Sequence, residues 1–256
     1  MVKVIFFDVD GTLISHTNGN VLDSTRRTLE LLKEKGIKRV LATGRHKVEL
    51  QDLPISNIEF DGYILLNGQI CEDENGVFYD NPLKNVDKIV SIFNAKNIPI
   101  QVLEKDRFYI NYVNEKVRMA QDAIHTPIPD IDSYKGDSIY QFIVFADTKE
   151  EDFIKEQFSD YNRTRWNEYA MDVVSKGASK VIGIQEYLKK EGIDLSETAA
   201  FGDGENDIEM LQYVHLGIAM GNANNSVKKK ADYVTDSIDE DGLEKAVLKI
   251  LNGELC

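Results

Sequence analysis

The sequence is poor in cysteine and contains no long apolar stretch. Its only cysteines, Cys71 and Cys256, are far apart and outside any metal-binding or redox spacing, which predicts two free thiols. The apolar run at the N-terminus is interrupted by Asp8 and Asp10, which argues against a signal peptide. No run approaches the roughly 18 apolar residues that a bilayer span needs. Together these absences favour a protein of the reducing cytoplasm.

Positive charge is also scarce. The 256 residues include 30 lysines and arginines against 44 aspartates and glutamates, which gives a formal net charge of −14. Such an acidic chain is a poor candidate for nonspecific binding to nucleic acid or to an anionic membrane. It can still bind a small anion, because a metal ion and a few placed cations can dominate one pocket. We expect no nucleic-acid or membrane partner, and a monomer or a weak homodimer.

Both ends of the chain alternate apolar strands with amphipathic helices. Val2–Phe7 has the pattern of a strand buried on both faces, and a helix is predicted from an N-cap at Asp23 to Gly36. Further strands are predicted at Ile37–Ala42, Tyr63–Leu66, Thr198–Phe201 and Leu216–Met220. Further helices are predicted at Val181–Lys190, Asn206–Tyr213 and Asp239–Leu251. This alternation favours a parallel sheet with right-handed crossovers.

The middle of the chain has a different pattern. Its strand-like runs alternate polar and apolar residues, as in Tyr109-Ile110-Asn111, which predicts an antiparallel sheet covered by helices on one face. Strands are predicted at Ile98–Leu103, Phe108–Val113, Tyr140–Ala146 and Ala170–Val174, and helices at Val86–Ala95, Glu115–Ile124 and Lys149–Phe158. The sequence therefore predicts an α/β core, residues 1–82 and 177–256, interrupted by an inserted α+β domain, residues 83–176.

Three polar clusters follow predicted strands of the core. They are Asp8-Val9-Asp10-Gly11-Thr12, Thr43-Gly44-Arg45 and Asp203-Gly204-Glu205-Asn206-Asp207. Each cluster alone is compatible with an ordinary turn or helix entry, because Asp, Gly and Thr suit such positions. In open α/β sheets, however, ligands bind outside the carboxyl ends of the strands. Three clusters at such ends therefore favour one shared functional site.

The side chains of these clusters suit a metal ion and a phosphate. Their four aspartates would repel one another without a hard cation such as Mg²⁺ or Ca²⁺, and open coordination positions favour Mg²⁺ bridging to phosphate. The Thr43 hydroxyl and the Gly44 amide are neutral phosphate donors. The four histidines lack ligand spacing and are predicted to be surface or packing residues: His16, His46, His125 and His215.

Several segments match the motifs of one family. The segment Asp8-Val9-Asp10-Gly11-Thr12-Leu13 is similar to its first motif, Thr43-Gly44-Arg45 to its second and Gly202–Leu211 to its fourth. Asn67-Gly68 and Ala219-Met220-Gly221-Asn222-Ala223 are typical of one subfamily. The chain thus resembles the haloacid dehalogenase superfamily of phosphohydrolases, and within it the Cof-type subfamily with a large cap. This resemblance spans nearly the full length and implies a Rossmann-like parallel-sheet core with an inserted α+β cap domain.

The third motif of that family requires a lysine, and the chain offers two candidates. The family usually places Ser-Lys at the start of a helix and Leu-Gly-Ile at its end. Ala178-Ser179-Lys180 and Glu191-Gly192-Ile193 keep this register, which selects Lys180, with Lys176 as the alternative. The sequence departs from the subfamily at Val181, where glycine is common.

The resemblance implies catalytic roles for four residues. Asp8 attacks phosphorus and becomes an aspartyl-phosphate. Asp10 protonates the leaving oxygen and then deprotonates the water that hydrolyses the intermediate. Thr43 and Lys180 hold the oxygens of the transferring phosphoryl group. These roles are chemically coherent, because a metal ion and a lysine offset the repulsion between an ionised carboxylate and a phosphate dianion.

The resemblance also implies the ligands of the metal and the substrate. Mg²⁺ is expected to be held by Asp8, by the Asp10 backbone carbonyl and by Asp203, with Asn206 or Asp207 in support. The residues expected to bind the phosphorylated substrate are Thr43, Gly44, Arg45, Lys180 and Asn206.

The sequence thus predicts a cytoplasmic, Mg²⁺-dependent phosphoric monoester hydrolase that acts on a small phosphorylated metabolite such as a sugar phosphate. Two alternatives stay open: a phosphomutase of the same fold, and a non-catalytic phosphate-binding protein. A receiver-type signalling module is much shorter and lacks the inserted domain. Because the core motifs account only for the phosphoryl group and the metal, we expect the inserted domain to recognise the leaving group.

Overall fold

The computed structural model describes residues 1–124 and 126–255. Up to residue 80 the elements are β1 (Val4–Phe7), α1 (Asp23–Glu34), β2 (Lys38–Ala42), α2 (Lys47–Gln51), β3 (Gly62–Leu65), β4 (Ile70–Asp73) and β5 (Gly76–Asp80). Then follow α3 (Asp87–Ala95), β6 (Ile100–Glu104), β7 (Phe108–Ile110), α4 (Glu115–Ala123), β8 (Ile139–Phe145), α5 (Glu151–Gln157), β9 (Tyr161–Asn167) and β10 (Ala170–Ser175). The last are α6 (Lys180–Glu191), β11 (Thr198–Gly202), α7 (Ile208–Tyr213), β12 (Leu216–Ala219), α8 (Asn225–Lys228), β13 (Tyr233–Val234) and α9 (Gly242–Leu251).

The chain forms two compact units. The first comprises residues 1–45, 49–80 and those from 179 onward, and the second comprises residues 46–48 and 81–178. The predictions for His125 and Cys256 concern residues outside these described ranges. No helix formed by the described residues has both the length and the apolar character that crossing a bilayer requires.

An eight-stranded sheet organises the first unit. Its strand order is β13-β12-β11-β1-β2-β3-β4-β5, and the pairs from β13 to β3 are all parallel. Strand β1 lies in the middle, and all four of its residues are buried, as its continuous apolar sequence predicts. On one face, Phe6 packs in a core with Ile184 and Tyr187 of α6 and with Leu211 of α7.

The second unit contains a five-stranded antiparallel sheet. Its order is β7-β6-β8-β10-β9, and every pair in it is antiparallel. Apolar residues of α3 and α5 pack on Val102, Phe142 and Val144, which point to one face of the sheet. The predicted fold class, an α/β parallel-sheet core with an inserted α+β domain, is therefore confirmed.

Some local features differ from the sequence-based expectation. Strand β9 was missed because its residues are mostly polar, and as an edge strand it is only partly buried. The β4–β5 hairpin was also missed, and it adds two antiparallel strands beside β3. The N-cap of α1 is Leu22 rather than Asp23, and Asp23 is the first helical residue.

Candidate active site

The polar clusters follow neighbouring strands of the parallel sheet. Strand β1 pairs with β11 on one side and with β2 on the other, all parallel. Asp8 directly follows β1, Thr43 follows β2 and Asp203 follows β11. The backbone N–H of Asp8 donates to the carbonyl of Phe201 at 3.0 Å, which continues the ladder with β11. The topology thus brings three distant segments to one edge of the sheet.

Lys180 lies between two of the aspartates. It is the first residue of α6 and is only 1% exposed. Its Nζ donates hydrogen bonds of 2.6 Å to Asp8 Oδ1 and of 2.6 Å to Asp207 Oδ1. Burial lowers the pKa of Lys180, but the charges of Asp207 and Asp8 more than offset this, so the pKa is raised overall and the ammonium stays charged. Lys176, the alternative lysine, is exposed.

Three carboxylates form an acidic cluster beside this lysine. Asp8, Asp203 and Asp207 each offer an oxygen within 4.8 Å of the others. Burial, with the charge of Asp207, raises the pKa of Asp8 to about 7 against the opposing charge of Lys180. Burial, followed by the charges of Asp8 and Asp207, raises the pKa of Asp203 to about 8. When ionised, the three carboxylates carry more negative charge than Lys180 neutralises, and their all-oxygen donor set fits a hard divalent cation.

Asp207 holds the loop that follows β11. Its Oδ2 accepts hydrogen bonds from the backbone N–H of Asp203 at 3.0 Å and of Gly204 at 2.9 Å, while Oδ1 accepts from Lys180. A Cβ on Gly202 would lie 2.6 Å from the Cβ of Asp207, so only glycine leaves room for this side chain. Since both of its oxygens already accept hydrogen bonds, Asp207 fixes the position of Asp203 and of Lys180.

Two residues that sequence reasoning did not assign to the site orient Asp203. The Thr12 hydroxyl donates to Asp203 Oδ1 at 3.0 Å. Asn222 Nδ2 donates to the Gly11 carbonyl at 2.8 Å and to Asp203 Oδ2 at 3.3 Å. Both residues belong to segments quoted for the family resemblance, so the motif letters contained a signal for them. A Cβ on Gly11 would come within 2.1 Å of Asp203 Oδ2, which explains a glycine at this turn.

Asp10 and Arg45 form a two-point ion pair. Arg45 Nε donates to Asp10 Oδ2 at 2.6 Å, and Arg45 Nη2 donates to Asp10 Oδ1 at 2.7 Å. Arg45 is 7% exposed, and its Nη1 is buried without a partner among the described residues. Arginine frequently binds a carboxylate through two parallel hydrogen bonds of this kind.

The second cluster and the β3–β4 turn also contribute to this edge of the sheet. The buried Thr43 hydroxyl accepts from the Arg45 backbone N–H at 3.1 Å, and its carbonyl accepts from the Asn67 backbone N–H at 3.0 Å. Asn206 Nδ2 donates to Asn67 Oδ1 at 3.4 Å. Asn67 has a left-handed backbone with φ of 54°. Gly44 is partly buried between Thr43 and Arg45.

The described histidines occupy three different environments. His215 is exposed, as predicted for a surface residue. His46 is buried against the Phe108 ring, and its Nε2 lies 2.9 Å from the accepting carbonyl of Glu104, which is a packing role. His16 lies beside the acidic cluster, with Nε2 3.9 Å from Asp203 Oδ2. Sequence spacing held no signal for this, because the two residues are far apart in the chain.

Comparison with known proteins finds relatives over nearly the full length. A family model described as haloacid dehalogenase-like hydrolase matches residues 5–247. YkrA of Bacillus subtilis, a proposed phosphatase, is 33% identical in an alignment of 253 positions that covers 97% of this chain and 97% of YkrA. YitU of the same species, named 5-amino-6-(5-phospho-D-ribitylamino)uracil phosphatase, is 26% identical over 261 residues, covering 94% of this chain and 95% of YitU.

A solved structure agrees with these sequence matches. It is described as a HAD subclass IIB sugar phosphatase and superposes with a TM-score of 0.87 at 35% identity, covering 97% of this chain and 99% of the other. The family model covers all the clusters described above, and the relatives match over both units of the chain. The chain therefore belongs to the haloacid dehalogenase-like hydrolase family, within which it is a phosphatase of the Cof type.

Proposed function

We propose that this phosphatase is Mg²⁺-dependent and hydrolyses small phosphate monoesters through an aspartyl-phosphate on Asp8. The observation that carries the proposal is the setting of Asp8, which directly follows β1 and shares Lys180 with Asp207 through contacts of 2.6 Å. Asp203 adds a third carboxylate within 4.8 Å. A nucleophilic carboxylate needs cations beside it, because positive charge must offset its repulsion from a phosphate dianion. Lys180 is one such cation, and the carboxylates can hold a metal ion as another.

The residues that would hold the metal are Asp8 and Asp203 through their side chains and Asp10 through its backbone carbonyl. Asn206 or Asp207 would support them from the loop after β11. Oxygen donors favour Mg²⁺ over softer metals. When bound, the ion neutralises the excess negative charge of the cluster and of the phosphoryl oxygens.

The protein side chains supply the bond-making steps. An oxygen of the Asp8 carboxylate forms a bond to phosphorus as the bond from phosphorus to the leaving oxygen breaks, and Asp10 gives that oxygen its proton. Asp10 then accepts a proton from water, whose oxygen bonds to phosphorus as the Asp8–phosphorus bond breaks. Thr43 and Lys180 hold the phosphoryl oxygens through both steps.

The ion pair with Arg45 adds a requirement to this sequence of steps. Both oxygens of Asp10 accept hydrogen bonds from Arg45, and we propose that this ion pair opens when Asp10 transfers its proton. The buried Nη1 of Arg45 has no hydrogen-bond partner among the described residues, so it is left to donate to a substrate oxygen when the guanidinium moves. We propose that the Arg45 guanidinium turns from Asp10 toward the substrate, and that this movement releases Asp10.

The relatives support a polyhydroxylated leaving group. YitU is named for a substrate whose phosphate is carried by a ribityl chain, and the solved relative is described as a sugar phosphatase. We therefore propose a sugar phosphate or a similar polyol phosphate as the substrate. The inserted domain, residues 83–176, is proposed to recognise it, since the core clusters address only the phosphoryl group and the metal.

A panel of phosphate esters tests the proposed function. Purified protein with Mg²⁺ should release inorganic phosphate from a sugar or polyol phosphate that is supplied as the only substrate. EDTA should abolish this release. A phosphomutase would instead move the phosphoryl group without releasing phosphate. Full activity in EDTA, or no release from any ester with an intact fold, would contradict the proposal.

Cytoplasmic location and a monomer or weak homodimer stay predictions, for fractionation and light scattering to test.

A further inference from the structure

The turn between β3 and β4 contains three successive residues with a left-handed backbone. Their φ angles are 52° at Leu66, 54° at Asn67 and 87° at Gly68. Glycine and asparagine tolerate this conformation, whereas a leucine adopts it rarely and at a cost in free energy. Such a backbone persists only where its surroundings hold it in place, and it is often found at functional sites. The contacts of this turn are therefore a guide to its role.

The backbone of the turn holds the second polar cluster. The N–H of Leu66 donates a hydrogen bond to the carbonyl of Arg45 at 3.3 Å, and the N–H of Asn67 donates one to the carbonyl of Thr43 at 3.0 Å. Two successive residues of the turn thus bind one segment. Thr43 itself is buried, so both its packing and this turn fix the position of its hydroxyl.

The side chain of Asn67 contacts a different segment. Its Oδ1 accepts a hydrogen bond of 3.4 Å from Nδ2 of Asn206, and the described residues form no other hydrogen bond with the Asn206 side chain. In the sheet, β1 and β2 lie between β3 and β11. The contact therefore joins the loops on both sides of the two strands that lead to Asp8 and Thr43.

We propose that Asn67 is a positioning residue of the active site. Its backbone N–H sets the position of Thr43 and its side chain sets that of Asn206, and Asp8 follows the strand between these two. This inference rests on the proposed function, because that proposal places Asn206 beside the metal and the phosphate. Asparagine suits both tasks: glycine tolerates the left-handed backbone but has no side chain, and aspartate would add a negative charge beside the acidic cluster.

Calorimetric titration of the metal-free protein with Mg²⁺ tests the proposal. Asn67→Gly keeps the left-handed backbone and its N–H and removes only the side-chain acceptor. Asn85→Gly is the matched control, because Asn85 also has a left-handed backbone, with φ of 59°, but is exposed. In Asn67→Gly, Mg²⁺ affinity should fall about tenfold, the effect expected when the partner of a group that supports a metal is lost. The control should bind Mg²⁺ as wild type does.

A double-mutant cycle separates positioning from a general structural effect. If Asn67 acts through Asn206, adding Asn67→Gly to Asn206→Ala should weaken Mg²⁺ binding no further. Additive losses, or an unchanged Mg²⁺ affinity in Asn67→Gly beside a large loss in Asn206→Ala, would overturn the proposal.

A third measurement needs no metal. In ¹⁵N spectra of the metal-free protein, Asn67→Gly should shift the side-chain amide signals of Asn206, and Asn85→Gly should leave them unchanged. Unshifted Asn206 signals in Asn67→Gly would show that the contact is absent in solution and would overturn the proposal. If these signals shift but wild type neither binds Mg²⁺ nor releases phosphate from any ester, the proposed function fails while the contact stands.

Discussion

At the scale of single residues, Asp8 is the centre of the candidate site. Its carboxylate is nearly buried and accepts a hydrogen bond from Lys180. Asp8→Asn keeps the size of the side chain but removes the charge that attacks phosphorus. We expect kcat to fall at least about 10³-fold, as for loss of a covalent nucleophile. Phosphate-release kinetics check this, with Asp160→Asn at an exposed position as the control. A rate above one tenth of wild type would exclude Asp8 from this role.

The loss of activity caused by substituting Asp10 should depend on the leaving group of the substrate. Asp10→Asn removes the proposed proton donor and also the charge that pairs with Arg45. Activity should fall more for an alkyl phosphate than for p-nitrophenyl phosphate, because nitrophenolate leaves without much protonation. Steady-state kinetics on the two esters measure the ratio. Equal losses for both would indicate that Asp10 has only a structural role.

The buried carboxylates should make the metal-free protein less stable as pH rises. The pKa is raised from the ordinary 3.8 to about 7 for Asp8 and to about 8 for Asp203. The folded state then binds protons that the unfolded chain has lost, so the free energy of unfolding falls between about pH 4 and pH 8. Thermal melts in EDTA should show this fall, and Asp203→Asn should reduce it.

Mg²⁺ should reverse that loss, since a cation offsets the same charges. At a concentration about 100 times its Kd, a ligand of the folded state adds about 2.7 kcal/mol to the free energy of unfolding. The gain should be greatest near pH 8 and smaller in Asp203→Asn. If the free energy of unfolding depended on pH identically in wild type and in Asp203→Asn, the acidic cluster would not be the source of the loss of stability.

At the scale of elements, the β3–β4 turn packs closely against the start of α6. Gly68 has φ of 87°, and a Cβ on it would lie 2.3 Å from the carbonyl oxygen of Ser179. Ser179 is the N-cap residue of α6, whose first residue is Lys180. The turn therefore packs against the backbone of the residue that precedes Lys180. Backbone atoms at such a contact cannot move aside easily.

Gly68→Ala should therefore displace the start of α6 and with it Lys180. We expect a loss of about 1–3 kcal/mol in the free energy of unfolding beyond the backbone strain, together with a lower kcat. Gly76→Ala is the control, because Gly76 also has a positive φ, of 106°, but has no atom within 4 Å of the added Cβ. Denaturant melts and kinetics compare the two. Equal effects would mean that the contact with Ser179 is unimportant.

At the scale of the whole molecule, the inserted domain is proposed to supply specificity. Replacing Leu83 to Lys176 with a short Gly-Ser linker should leave kcat/KM for p-nitrophenyl phosphate only modestly lower. The kcat/KM for the best sugar or polyol phosphate should fall much further, because binding energy from the leaving group is lost. Stabilisation by Mg²⁺ would verify that the shortened protein is folded. An unchanged substrate ranking would contradict the proposal.

The elements with strong hydrophobic patterns were predictable, and those with weak patterns were not. Val4–Phe7 is buried throughout and was read correctly from its apolar run. Tyr161–Asn167 and Gly76–Asp80 are edge strands, paired on one side only, and their polar or exposed side chains leave no alternation to read. Such strands form because a neighbouring strand offers hydrogen bonds, which is a property of the sheet and not of their own sequence.

By itself, the sequence determined the fold class and the meeting of three clusters at one edge, because the carboxyl ends of parallel strands lie together. Only the tertiary structure decided which side chains touch there. Asn222 reaches Gly11 across 211 positions, and the contact between His16 and Asp203 likewise joins distant segments. Such contacts depend on how the loops pack once the sheet has formed, and neither spacing nor periodicity along the chain encodes that packing.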